Sequence, residues 1–422
     1  MYHEFVLDNN IHILTEQVPN VRSVAIGFWV KVGSRHENPE INGISHFIEH
    51  LMFKGTKKRS ARQIAETLDA VGGQLNAFTT KEYTCYYARV LDEHFDLAVD
   101  LLCDMLFGSK FDADDIDCER NVIIEEIKMY EDAPDELVHD IFAGSMWQGH
   151  ALGRSIIGTA EVIAQLSRDK IMQFYNAHYN PGNIIVAVAG NVSNEEVICK
   201  LRPVLESRTG DAPARVMTIP VPKRDVVCRG KETEQVHLCV GTPGLSLDHE
   251  NTYTFQVINT ILGGGLSSRL FQEIREQRGL VYSVYSYHSS YYDTGLFCVY
   301  AGLSKQNVEE VLELIFKQIK DIRINSVTGE ELQRAKDQLK GNLLLSLESI
   351  STRMSRLGKS QLYLGKIIPP EEIVEKLNRV TAADVRELAM EMLKPDNFSL
   401  ATIGPWEDCG NLDKALKQLS IF

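Results

Sequence analysis

In the run 43–55, GISHFIEHLMFKG, His46 and His50 stand four residues apart with Glu49 between them. On a helix this spacing puts the two imidazoles one turn apart on one face, where both can reach a single ion. A catalytic zinc site needs three protein ligands and a fourth position open to water, so a third donor must come from elsewhere. The stretch 119–132, ERNVIIEEIKMYED, offers Glu119, Glu125 and Glu126. On a helix Glu119 and Glu126 are two turns apart on a common face, whereas Glu125 points roughly 100° away from Glu126. One acid can bind the metal while another holds a histidine from behind. Glu49 lies beside both histidines without being obliged to bind the ion. A carboxylate there can act as general base on water that zinc has acidified, and the chemistry implied is hydrolysis of a peptide carbonyl. Two nitrogens and one oxygen would also accept manganese or cobalt.

The elements that must position these groups can be read from the same pattern. Ile44, Phe47, Ile48 and Leu51 form an apolar stripe, so a helix over 42–54 can bury one side and present His46, Glu49 and His50 to a cleft. Around it the first half reads as strands at 4–17 and 23–33, a helix at 60–71, strands at 74–91 and a helix from Asp92. A long helix at 114–131, another helix and an apolar strand at 183–189 follow. The second half repeats the order: strands at 226–241, helices at 252–262 and 267–277, strands at 281–303, a helix from Lys305, a long helix at 329–347, another helix and a strand at 397–402. Both final strands open on a Pro and an Asn, PGN and PDN. Ser60 and Gln63 have the spacing of a capping box at the start of the second helix. Two copies of one α+β unit account for this order.

A chain of 422 residues exceeds what one hydrophobic core usually serves, so two domains are expected. The boundary falls at 208–222, where three prolines and a glycine interrupt the pattern, leaving 1–207 and 223–422 as the domains. A formal charge of −14 argues against nucleic acid as a partner and is compatible with basic peptides. The eight cysteines have no CxxC pair and no short regular spacing, so they read as reduced, mostly buried thiols. No apolar run approaches the ~18 residues needed to span a bilayer, and the acidic N-terminus suits neither a signal peptide nor a transit peptide. A cytoplasmic protein with no membrane association is expected.

HFIEH followed by ERNVIIEE resembles the signature of the pitrilysin/insulysin family of zinc metallopeptidases, the inverzincins with HxxEH. The likeness extends over nearly the whole chain. It is strongest to the short two-domain subfamily that includes the β subunit of mitochondrial processing peptidase and its bacterial relatives. The resemblance implies His46, His50 and Glu126 as zinc ligands, one ion per chain, Glu49 as general base and Glu119 as the supporting acid. It implies an α+β fold of two homologous domains, each a mainly antiparallel β-sheet packed with helices, together forming half of a clamshell. The segment 73–79 is similar to the family's edge strand, so Asn76, Ala77 and Phe78 are expected to bind an extended substrate by β-augmentation.

In the second half REQRGLVY resembles the family's Arg and Tyr pair, which implies that Arg275 orients the substrate and Tyr282 donates to the developing oxyanion. The glycine run 263–265 lacks the spacing of a phosphate loop and reads as a flexible turn. No histidine stands in 252–262, so the second domain is expected to lack a zinc site. The implied function is a zinc-dependent endopeptidase acting on peptides or unfolded precursor segments. The alternative is a noncatalytic, structural subunit that binds peptides without cleaving them; the complete set of His46, Glu49, His50 and Glu126 weighs against it. Because longer relatives use four such domains, a homodimer with shared active sites is implied.

Overall fold

The computed structural model of the chain describes residues 2–211, 217–407 and 412. Residues 212–216 of the segment 208–222, and Cys409, lie outside the described residues. The first half opens with β1 (Tyr2–Val6), β2 (His12–Gln17) and β3 (Ser23–Val30), followed by α1 (Ile44–Leu51) and α2 (Ala61–Asp69). A hairpin of β4 (Gln74–Thr79) and β5 (Thr84–Leu91) leads into α3 (Phe95–Gly108), α4 (Ala113–Glu131) and α5 (Pro134–Met146). Then come α6 (Ala160–Gln165), α7 (Arg168–His178), β6 (Ile184–Gly190) and α8 (Asn194–Leu205). The second half has β7 (Val226–Gly230), β8 (Val236–Gly244), α9 (Thr252–Gly263), β9 (Val281–Ser290), β10 (Gly295–Leu303) and α10 (Val308–Ile324). It closes with α11 (Gly329–Ser346), α12 (Ile350–Leu364), α13 (Pro370–Arg379), α14 (Ala382–Met392) and β11 (Ser399–Gly404).

Each half contributes one mainly antiparallel sheet, which makes the fold α+β as expected. The first sheet has the order β1-β2-β6-β3-β5-β4, with only β2 and β6 parallel. The second has the order β7-β11-β8-β10-β9, with only β7 and β11 parallel. Along β3 the side chains alternate as a strand requires: Val24, Ile26, Phe28 and Val30 enter one core, while Ala25 and Trp29 enter another on the opposite face. A sheet that is apolar on both faces needs cover on both. In the first sheet one face packs against α1, α3 and α7, and the other takes Ile350, Met354 and Leu357 of α12.

The two compact units therefore depart from the halves of the chain at two helices. One unit comprises residues 1–128, 154–217 and 346–367, and so includes α12 from the second half. The other comprises 129–153, 218–345 and 368–422, and includes α5 from the first half, whose Leu137, Val138, Phe142 and Met146 cover Cys239, Cys298, Tyr300 and Ile403. The segment 208–222 crosses from one unit to the other after Met217. In the first unit the approach of α12 depends on Gly358, where a Cβ would stand 2.3 Å from the Trp29 ring. Arg353 on the same helix pairs with the buried Glu16 at 2.5 Å.

Local signals hold where they rest on neighbouring residues. Ser60 accepts from the Gln63 N–H at 3.3 Å, and the Gln63 side chain accepts from the Ser60 N–H at 2.9 Å. The helix expected at 267–277 is present over residues 269–276 but widens to a π-helix over Phe271–Glu276, where the Gln277 N–H reaches Gln272 O five residues back at 3.0 Å. The cysteine reading also needs correction. Cys85, Cys103, Cys239 and Cys298 are buried free thiols and Cys118 and Cys199 are exposed ones, but Cys228 is disulfide-bonded. A residue type and its spacing do not by themselves tell a bonded cysteine from a free one. Among the described residues no helix is long and apolar enough to cross a membrane.

Candidate metal centre

The first unit brings the two motif helices together. His46, Glu49 and His50 lie on α1, and Glu119 and Glu126 lie on α4. Among the described residues, His46, His50 and Glu126 form the only group of three or more side chains with metal-ligand geometry, their donor atoms all within 4.8 Å of one another. Glu126 Oε1 is 3.8 Å from His46 Nε2, and its Oε2 is 3.6 Å from His50 Nε2. Donors on a tetrahedral zinc ion stand roughly 3.4 Å apart, so a small closure of this cluster would hold one. Two imidazole nitrogens and a carboxylate oxygen are also the donor types zinc prefers in open sites.

The surroundings keep the His46 imidazole neutral and aim both rings. Burial, and secondarily the neighbouring His50, hold the His46 imidazole down to about 3, so it remains an unprotonated donor. The two rings meet edge to face with centroids 4.6 Å apart. His50 Nδ1 lies 3.0 Å from Glu119 Oε2, which leaves Nε2 to face Glu126. Glu119 is buried and also pairs with Lys54, one turn beyond His50 on the chain. Glu125 points elsewhere: its carboxylate is exposed and pairs with Lys128 at 2.6 Å.

Glu49 does not join the donor cluster. Its Oε2 accepts a 2.5 Å hydrogen bond from the Thr79 hydroxyl at the end of β4. Burial pushes the Glu49 carboxyl up, against the pull of that hydrogen bond. Thr79 was not singled out from the sequence. Its position, at period two from Leu75 and Ala77 on β4, was the available signal that it faces α1.

The strand 74–79 is an edge of its sheet, paired only with β5. On it the Ala77 N–H donates to the Asn76 side chain at 2.8 Å, as an amide on the free side of an edge strand does. Leu75 and Ala77 pack toward the core beneath α1, and Phe78 packs on the other face, against Trp29, Tyr83 and Tyr87. Arg275 and Tyr282 belong to the other unit. Arg275 sits in the π-helix with its guanidinium 4.7 Å from the Phe271 ring centroid, and Tyr282 at the start of β9 is 76% exposed.

Comparison with known proteins agrees with this geometry. The sequence pattern of insulinase, peptidase family M16, matches residues 12–160, and that of the peptidase M16 inactive domain matches residues 165–339. The zinc protease YmxG of Bacillus subtilis, described as uncharacterised, is 46% identical over 405 residues, covering 96% of this chain and 98% of that protein. The chain belongs to peptidase family M16. A second M16 relative, an uncharacterised zinc protease of Streptomyces coelicolor, is 45% identical over 412 residues, covering 95% of this chain and 89% of its own. The fold matches the crystal structure of a protease from Helicobacter pylori with a TM-score of 0.90 at 21% identity, over 96% of this chain and all of that one. Within the family, this chain is of the short two-domain kind.

Proposed function

We propose that the chain is a zinc-dependent endopeptidase that cleaves extended peptides or unfolded precursor segments. The observation that carries this reading is the convergence of His46, His50 and Glu126 within 4.8 Å, with Glu49 beside them on α1 and held by Thr79 at the end of an edge strand. In this reading His46, His50 and Glu126 hold one zinc ion, whose Lewis acidity polarises a carbonyl and acidifies water. Glu119 fixes the His50 ring by accepting from Nδ1–H, which orients Nε2. Substrate adds to β4 through its main chain, so Asn76, Ala77 and Phe78 line the bound peptide and contribute affinity with little demand on its sequence. Glu49, steadied by Thr79, takes the proton from the attacking water and delivers it to the leaving amine. The raised affinity of its buried carboxyl for a proton suits that role. Naming of the relatives as zinc proteases supports the same conclusion.

The reading is tested by following peptide hydrolysis and metal content together. A strong chelator should abolish cleavage, and stoichiometric zinc should restore it. Glu49→Gln should retain the metal yet lose activity by at least about 10²- to 10⁴-fold, since the amide keeps the shape but accepts no proton. A fully active Glu49→Gln chain, or cleavage that survives complete metal removal, would exclude this mechanism. The noncatalytic alternative predicts metal binding without cleavage of any member of a peptide library.

A further inference from the structure

The helix that carries His46, Glu49 and His50 is only eight residues long, and the residue before it has no side chain to cap it. That residue, Gly43, sits at φ +97°, and a Cβ there would come within 2.7 Å of Ile157 O. A helix this short has little stability of its own, and its first-turn N–H groups have no partners within the helix. In this structure two backbone amides at that end, of Gly43 and Ser45, are taken up by Glu37, from the loop six residues upstream of Gly43. Glu37 Oε2 accepts from the Gly43 N–H at 2.7 Å and from Asn42 Nδ2 at 2.9 Å, and Oε1 accepts from the Ser45 N–H at 2.9 Å. Glu37 is 4% exposed. Its corner is anchored further: Asn42 Nδ2 also reaches Ser155 O at 3.1 Å, and Arg154 donates to the Glu37 backbone carbonyl.

Two buried carboxylates thus hold the two ends of α1. Glu119 grips the far end through His50 and Lys54, and Glu37 grips the near end through the backbone one residue before His46. We propose that Glu37 is a positioning residue for the metal centre: by capping α1 it sets the rotation and axial placement of the helix, and with them the convergence of His46 on the ion. The proposal rests on the metallopeptidase reading above. Glutamine at this position would keep the volume but turn an NH₂ group toward one of two backbone N–H donors, a donor facing a donor. Aspartate would keep two acceptor oxygens on a shorter arm.

The test titrates wild type, Glu37→Gln and Glu37→Asp, each stripped of metal, with cobalt(II), reading the visible absorption band and the dissociation constant, with circular dichroism to confirm folding. The expected result is a folded Glu37→Gln chain that binds cobalt about tenfold or more weakly than wild type, with a displaced band, and recovery toward wild type in Glu37→Asp. A Glu37→Gln chain that melts earlier but binds cobalt with unchanged affinity and band would overturn the proposal, leaving Glu37 a purely structural cap. Should Glu37→Gln fail to fold, Asn42→Ala removes one donor from the same carboxylate; weakened binding there supports the proposal and an unchanged band overturns it. A wild-type chain that takes up no metal would overturn the metallopeptidase reading itself, an outcome distinct from wild-type uptake with an unaffected variant.

Discussion

Glu125 and Glu126 are neighbours in the chain, yet one faces two imidazoles and the other faces solvent, because successive residues on a helix diverge by about 100°. The consequence is a sharp difference between two chemically identical substitutions. Glu126→Gln and His50→Ala should each reduce bound zinc to well below one ion per chain, whereas Glu125→Gln should leave metal content and activity unchanged. Atomic absorption on the purified variants decides this, and equal losses at the two glutamates would show that α4 presents a different face. Glu119→Gln belongs between these extremes: it spares the ligand atoms but frees the His50 ring, so metal affinity should fall by about 10- to 100-fold.

At the level of elements, β4 is where the proposed catalysis and the proposed binding would meet, since one strand supplies the hydroxyl on Glu49 and also has an open edge. Proline is tolerated on an edge strand where its missing N–H would have faced outward. The Ala77 N–H bonds only the adjacent Asn76 side chain among the side-chain contacts of the strand, and Ala77→Pro should therefore remove a substrate contact while leaving the metal site intact. The expected outcome is a KM for an extended peptide raised about two- to tenfold, the worth of one main-chain hydrogen bond, at unchanged zinc content. A KM equal to that of wild type would argue that substrate does not add to this edge. Loss of zinc along with the rise in KM would mean instead that the substitution had disturbed β4 and α1 together.

For the whole molecule, the exchange of α5 and α12 makes each sheet dependent on the other half of the chain. Separate fragments 1–207 and 223–422 would each expose an apolar sheet face, of the kind that soluble proteins rarely leave uncovered. Neither fragment should show a cooperative thermal transition alone, and co-expression should restore one; a cooperative melt from either fragment by itself would contradict this dependence. The proposed homodimer makes a separate demand. If Arg275 and Tyr282 of one subunit complete the zinc site of its partner, Glu49→Gln and Tyr282→Phe chains should each be nearly inactive and should regain activity when mixed, because one site of the mixed dimer is then intact. Continued inactivity after demonstrated subunit exchange, or full activity of a monomer, would defeat the shared-site arrangement.

The sequence by itself determined whatever depends on residues close together in the chain. The four-residue spacing of His46 and His50, the seven-residue spacing of Glu119 and Glu126 and the capping box at Ser60 are all set by helical periodicity, so they could be read without coordinates. Much of the duplicated order of elements was equally legible, because each element carries its own hydrophobic period, but the single helix read between each long helix and its final strand is three helices in each half of the structure. Only the tertiary structure decided which distant partners meet. That Thr79 steadies Glu49, that Glu37 caps the metal helix and that α12 seals the first sheet against Trp29 each follow from backbone paths that bring separated segments within hydrogen-bonding or packing distance. The π form of the helix that carries Arg275 and the bonded state of Cys228 were likewise beyond the sequence pattern, since a helical period does not distinguish a π-helix from an α-helix and a residue type does not name its partner. Apolar residues on both faces of a strand announce that both faces will be covered; they do not say by which helix.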